Sequence, residues 1–566
     1  MISPRDGVSL PRMAGAAAAI AFFSSWASGA PAADGARKMR DRRGPDYMLV
    51  ALSDSLGHGT LDAVNNELNT RNSFIQLVAD RLMVANSLYF SQPFFDEREE
   101  RTQPFRIPTN LSVDGSDSFS LEGIAYYRRA GVDTSFISKS FLGDRVLPRG
   151  LKDKYDKVLY PLNVLNRGPV SQLDGAIWLL NTAARAHSVG EAAVILWIGN
   201  NDSSSAALGF GGANPGFLPI PLDQIGPELK PLLRTLLRFG ERGGALSFEP
   251  YGPAVIERHL TVLDDFAAQY ERIVSRLLAE TAASGVSRQV FACTLPYYSS
   301  IGYLMDSEDL EYYLQKQDPG YSVPPSFKRV APPGEPIEDP LLGDRISLLT
   351  FGFMYALLDS GYSADYVNGV LETAGQQRDG LVLSESEQET IRERIDGYND
   401  VIRATAAMHP AVHLVDIGEH LNDTLTGEIE VVVGGRKFDR KWSRGSAFSI
   451  DGVHPGYTGQ AFVANFFLNE FDEVLGTDMT PYVLEQVSAS DPYIDRDGDG
   501  WIPGPDTALV GLGRLLSLLT DSDDQNPAIG VDLPDDTWEL ISSILLERVL
   551  GIPSIGAEAA RIRAGR

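Results

Sequence analysis

The chain contains one cysteine, Cys293, in 566 residues. A lone cysteine excludes an intramolecular disulfide framework and a Cys-rich zinc site. Basic residues are also in short supply: 49 Lys and Arg stand against 76 Asp and Glu, a formal net charge of −27. Nucleic acid and anionic membrane surfaces both require a dense cationic face, so neither is expected as the main partner. Histidine is scarce, at 7 residues, and the His-Glu-x-x-His zinc pattern does not occur. His409 and His413 have the spacing of a zinc pair, but Pro410 between them disrupts the helix such a pair needs. Beyond the N-terminus no apolar run reaches the roughly 20 residues of a transmembrane segment. Internal repeats and coiled-coil heptads are missing too.

What remains is ample for folding. An apolar fraction of 43% supports a large core and argues against wholesale disorder. The length suggests two to four structural units. At the N-terminus, Arg5 and Arg12 precede a short apolar run, Met13 to Phe23, and a small-residue stretch ends in Ala30-Pro31-Ala32. Positive flank, short apolar core and Ala-x-Ala read as a signal peptide over 1–32, followed by a linker over 33–45. A secreted or periplasmic protein is expected.

From residue 46 the pattern alternates. Tyr47 to Leu52 is a continuous apolar run of the kind found in strands buried on both faces of a parallel sheet. Similar runs are Val158 to Val164, Ala193 to Ile198, Gln289 to Thr294 and Val412 to Val415. Helical spacing follows Ser73 and covers Gln172 to Ala186, Ile256 to Ala283, Glu385 to Ala407 and Gln460 to Leu475. Ser384 with Glu387 has capping-box spacing. Strand alternating with helix predicts an α/β fold around a parallel sheet. Two stretches, about 203–251 and 303–380, interrupt the rhythm and read as insertions that wall the site or thicken the core.

Four short blocks carry chemistry. Ser53-Asp54-Ser55-Leu56 ends the first run, and ligands of open α/β sheets bind at that carboxyl end. Leu165-Asn166-Arg167-Gly168-Pro169 offers a glycine where the backbone can approach a ligand. Gly199-Asn200-Asn201-Asp202 places side-chain amides at another strand tip. Asp451-Gly452-Val453-His454-Pro455 puts a carboxylate three residues before an imidazole, a spacing at which it can hold the ring through the Nδ1 proton. Of the other candidates, His58 reads as a loop cap rather than a substrate contact, and Cys293 as a small buried hydrophobe.

In these blocks and their order, the chain resembles the SGNH/GDSL hydrolases across roughly Asp46 to Leu475. The resemblance implies an α/β/α sandwich with a central parallel, flavodoxin-like sheet. It also implies Ser55 as nucleophile, His454 as base, Asp451 as orienter, and an oxyanion hole from Ser55, Gly168 and Asn201. No cofactor would be needed for catalysis. Ser53 stands where the family has glycine. The resulting Ser-x-Ser-x-Gly is one glycine short of the α/β-hydrolase elbow, whose nucleophile follows several strands rather than the first. The resemblance implies an esterase or lipase acting on a small-molecule or lipid ester. A carbohydrate O-acetyl esterase, or a secreted calcium-binding adhesion protein with an inactive hydrolase domain, are the alternatives.

Behind this domain, Asp495, Asp497, Asp499, the Trp501 carbonyl and Asp506 fall at positions 1, 3, 5, 7 and 12 of an EF-hand-like loop, with Gly500 at position 6. The loop leads into an apolar helical stretch, Thr507 to Leu519, and is similar to the calcium half of a dockerin repeat. A structural calcium is expected in a small helical module over 488–551, which includes a second helical stretch, Thr537 to Leu550, before a tail over 552–566.

Overall fold

The computed structural model describes residues 44–501 except 62–64, 97–99, 125, 127–153, 166–169, 209–255, 258, 329–342, 360, 373–381 and 499. The expected signal peptide, most of the linker, the two C-terminal helices, and Gly168, Asp499 and Asp506 lie outside the described residues.

The first apolar run forms β1 (Tyr47–Ser53), in which Met48 to Leu52 are each at most 1% exposed. Burial on both faces requires covered partners, and β1 has them. The central sheet runs β2 (Leu88–Tyr89), β1, β3 (Glu191–Trp197), β4 (Ser287–Cys293) and β8 (Val412–Val415), parallel throughout. Counting only its own strands, the order is 2-1-3-4-5, and chain direction across the sheet reverses between β1 and β3. Such a switch point opens a crevice at the carboxyl ends of the two flanking strands.

The helices form two packed groups. α1 (Phe74–Ala85), N-capped by Ser73, packs on α5 (Tyr457–Leu475), with the Phe74 and Phe467 rings stacked 5.1 Å apart. The other group comprises α2 (Gln172–Trp178), α3 (Leu263–Glu280) and α4 (Glu385–Met408). The capping box expected for α4 is present: Ser384 N–H donates to Glu387 Oε2 at 2.7 Å and Glu387 N–H to Ser384 Oγ at 3.4 Å. This arrangement is compatible with an α/β/α sandwich.

Two sequence assignments need correction. Val158 to Val164 is not a strand. It falls in two helices, Lys154–Leu159 and Leu162–Leu165, because Tyr155, Val158, Leu159 and Leu162 repeat at helical spacing and all four are buried. The helix expected from Ile256 becomes regular only at Leu263. The amides before it are committed elsewhere: Thr261 N–H donates to the Asp202 carbonyl at 2.9 Å and Val262 N–H to Tyr126 Oη at 3.1 Å.

The second insertion and the strand directly after it form a small antiparallel sheet, β5 (Leu304–Met305), β6 (Arg345–Ser347) and β7 (Val382–Leu383). The insertion's described part buttresses the segment that carries His454. Tyr303 N–H donates to the Gly452 carbonyl at 2.8 Å, and Arg440 Nη2 donates to Asp306 Oδ2 at 2.8 Å. A buried aromatic cluster around Tyr313 and Trp442 fills the space between, and Trp442 Nε1–H donates to the Ile450 carbonyl at 2.9 Å. Among the described residues, no helix is long and apolar enough to cross a membrane.

Candidate active site

The chain leaves β1 at Ser53 and turns into a single helical turn, Ser55–His58. Asp54 caps that turn, its Oδ1 accepting from Leu56 N–H at 3.0 Å. From the buried side, Asn110 Nδ2 donates to the Gly57 carbonyl at 2.8 Å. The segment carrying Asn110 runs beside the end of β1, where Leu111 N–H donates to the Ala51 carbonyl and Val113 N–H to the Ser53 carbonyl. Ser55 is thereby fixed on a rigid strand end, half-buried at the switch point.

Ser53, which ends β1 just before this turn, is fully buried. A Cβ placed on Gly57 would lie 2.6 Å from Ser53 Cβ, so the glycine at 57 makes room for the extra side chain. Ser53 therefore does not line the cleft.

Asp451 and His454 form a close, buried polar pair. The carboxylate lies 2.6 Å from Nδ1 through Oδ2. Its Oδ1 accepts from Ser449 Oγ at 3.0 Å, Val453 N–H at 2.9 Å and His454 N–H at 2.8 Å. An ionised carboxylate only accepts, so Nδ1 carries the proton and Nε2 of the neutral ring is the basic atom. Both side chains are buried, Asp451 to 1% and His454 to 5% exposure. Burial opposes each charge. The attraction and hydrogen bond between them outweigh it, holding Asp451 below the usual carboxylate range and His454 above the usual imidazole range, with Asp114 and Asp54 adding to the latter. Gly452, at φ 67°, permits the turn, and a Cβ there would meet Tyr303 N at 2.7 Å.

Ser55, Asn201 and His454 line one open cleft. Its walls are mainly apolar and include Leu56, Leu421, Leu425, Phe438, Phe448 and Val463. Among the described residues no hydrogen bond joins Ser55 Oγ to the His454 ring; contacts of this kind often tighten only with substrate bound. Asp54, next to Ser55, is nevertheless close enough to His454 for their charges to interact. Asn201 sits in the turn after β3, where its Nδ2 donates one hydrogen to the Ser116 carbonyl at 2.9 Å. Gly199 begins that turn at φ 131°, with Leu295 Cδ1 2.7 Å from any added Cβ. Asp202 anchors the neighbouring loop, accepting from Ser118 N–H at 2.9 Å and Ser118 Oγ at 2.7 Å.

Three polar residues at this rim carry no role in the sequence reading: Asp54, Asn200 and Tyr298. Asp54 and Asn200 stand inside the recognised blocks, but their partnership depends on β1 and β3 lying side by side. Tyr298 follows β4, and only the strand-end rule points to it.

The remaining histidines and the cysteine have structural surroundings. His58 is buried with its ring against Phe95, 5.1 Å between centroids. His413 Nε2 meets Gln289 Oε1 at 2.7 Å, and His409 caps α4 beside Glu271. Cys293 is buried at the end of β4, and burial pushes its thiol pKa well up.

Of the calcium-like loop, Asp495, Asp497, Gly500 and Trp501 are described. The Asp495 carboxylate is buried and accepts from Gly498 N–H at 2.7 Å and Gly500 N–H at 2.9 Å, curling the loop. Burial, opposed by those amides and by Arg436 and reinforced by the neighbouring Asp497 carboxylate, raises the Asp495 pKa. Among the described residues, no group of three or more metal-ligating side chains gathers at this loop. The Trp501 ring packs 5.0 Å from Tyr313, within the aromatic cluster.

Compared with known proteins, the chain matches no family model and no curated protein.

Proposed function

We propose that this protein is an exported serine esterase or lipase of SGNH/GDSL type, built on an α/β/α sandwich and working through an acyl-enzyme on Ser55. The observation that carries the reading is the buried Asp451–His454 pair opening on the same apolar-walled cleft as Ser55 and Asn201. In this reading, His454 Nε2 takes the Ser55 hydroxyl proton as Oγ attacks the ester carbonyl, and the tetrahedral oxyanion accepts hydrogen bonds from the Ser55 and Gly168 amides and the Asn201 side chain. Collapse expels the alcohol, which receives the proton from His454. Water, activated by the same base, then releases the acid.

The apolar walls favour an acyl chain over a sugar acetate. A series of nitrophenyl esters run beside acetylated xylan tests this. Turnover that rises from acetate to longer acyl chains is expected; activity confined to acetylated xylan would turn the reading toward a carbohydrate esterase.

A structural calcium would be held by Asp495, Asp497, Asp499, the Trp501 carbonyl and Asp506. Such a cation binds the folded loop and stabilises it by mass action. Melting temperature is expected to rise with millimolar calcium and fall with chelator. An identical melting curve under both conditions would rule out the site.

A further inference from the structure

Asp54, Asn200 and Tyr298 lie at the tips of β1, β3 and β4, three consecutive positions across the sheet. While Asp54 Oδ1 caps the Ser55 turn, its Oδ2 accepts from Asn200 Nδ2 at 3.0 Å. The Asn200 carbonyl accepts from Tyr298 Oη at 2.6 Å, with Ser203 Oγ also donating to it at 3.3 Å. Asn200 is thus held at both ends, by its side chain to the nucleophile turn and by its backbone to the loop after β4. Its neighbour is Asn201. The family block leaves this position open, reading Gly-x-Asn-Asp, so nothing in the motif demands asparagine here.

We propose that Asn200 is a positioning residue that, through its bond to Asp54, sets the spacing between the Ser55 turn and the Asn201 amide. This rests on the esterase reading. Asn200 lines the same cleft, and its two bonds tie the Ser55 turn and the loop after β4 to the segment carrying Asn201. Misplacing one by about 1 Å can cost roughly 100-fold in rate. Burial raises the Asp54 carboxyl, and with the Asn200 hydrogen bond as the largest influence opposing it the group rests at about 6. The charged groups facing Asp54 are His454 and Asp114, and those facing His454 are Asp451, Asp114 and Asp54. Removing the Asn200 amide therefore keeps Asp54 neutral to higher pH, and one negative charge is withdrawn from beside His454.

The test measures kcat, KM and the pH profile on a nitrophenyl ester for wild type, Asn200→Ala, Asp54→Asn and the reciprocal Asp54→Asn/Asn200→Asp. Asn200→Ala is expected to lower kcat by roughly 10- to 100-fold with KM within about twofold, and to move the acid limb to lower pH. In the reciprocal variant the amide oxygen now at position 54 still accepts from Leu56 N–H, while the amide nitrogen beside it donates to the carboxylate now at position 200. The bond is restored with its direction reversed, so kcat should recover by about tenfold over Asp54→Asn alone. Tyr298→Phe removes one hydroxyl from the other side of Asn200, and is expected to lower kcat about threefold or more even if Asp54→Asn does not fold. Wild-type kcat in Asn200→Ala or in Tyr298→Phe would overturn the inference, as would a reciprocal variant no faster than Asp54→Asn. A wild-type protein that hydrolyses no ester overturns the esterase reading and this inference together; an active wild type beside unimpaired variants overturns the inference alone.

Discussion

Replacing Ser55 by alanine is expected to lower ester turnover by roughly 10⁴-fold or more while the protein stays folded. Ser55 opens a helical turn in which alanine is well tolerated. The cap from Asp54 to Leu56 N–H and the bond from Asn110 to the Gly57 carbonyl do not involve the serine side chain. What disappears is the proposed attacking oxygen, for which neither the proposed oxyanion donors nor the proposed base can substitute. Steady-state turnover beside a thermal melt checks this. A Ser55→Ala protein with wild-type activity would end the hydrolytic reading.

The second large effect comes from Asp451→Asn. The three donors to Oδ1, from Ser449, Val453 and His454, can be met equally by an amide oxygen, so the loop should keep its shape. The amide nitrogen, however, would face Nδ1 and force the ring proton onto Nε2, where the base must be vacant. A loss on the order of 10⁴ in kcat is expected from the wrong tautomer. The pH profile supplies an independent readout. With His454 as the proposed base, activity is expected to require its neutral form, so kcat/KM should fall as pH drops through its pKa, which Asp451 holds above the ordinary value. Without that carboxylate the acid limb moves to lower pH. An unmoved limb would mean that a different group acts as base.

The same pair shapes stability. His454, with its folded pKa raised, contributes stability that is complete below its unfolded pKa and lost as pH rises through the folded one. Asp451, with its folded pKa depressed, contributes above its unfolded pKa and loses that contribution as pH falls through the folded one. The two overlap most fully between roughly pH 4 and 6.5. Acid and mildly alkaline conditions weaken the pair from opposite sides.

The sequence was informative where local pattern and tertiary environment agree. β1, β3 and β4 appear as apolar runs because their central residues are buried on both faces of the sheet, whereas β8 lies at the sheet edge with Leu414 exposed; the Ser384–Glu387 box marks the start of α4 by chemistry alone. Asp451 and His454 are legible because three residues of separation suffice to join them. By contrast, β2 is only two residues long and leaves no run to read. Over 158–164, a buried helix and a buried strand look alike, and the deciding residue, Tyr155, lies outside the apolar run. The Asp54–Asn200 bond spans 146 positions and exists because β1 and β3 pair with Ser53 opposite Trp197. No local rule contains that register. Likewise, the space that Ser53 occupies is defined by Gly57 and Ser112 together, so its effect on the nucleophile turn follows from packing rather than from the motif.

An activated nucleophile at Ser55 should react with a serine-directed fluorophosphonate, and the adduct can be mapped by peptide mass. A single adduct on Ser55 is expected, absent in Ser55→Ala and strongly slowed in His454→Ala. No labelling of the wild-type protein, or equal labelling of Ser55→Ala, would contradict that role for Ser55.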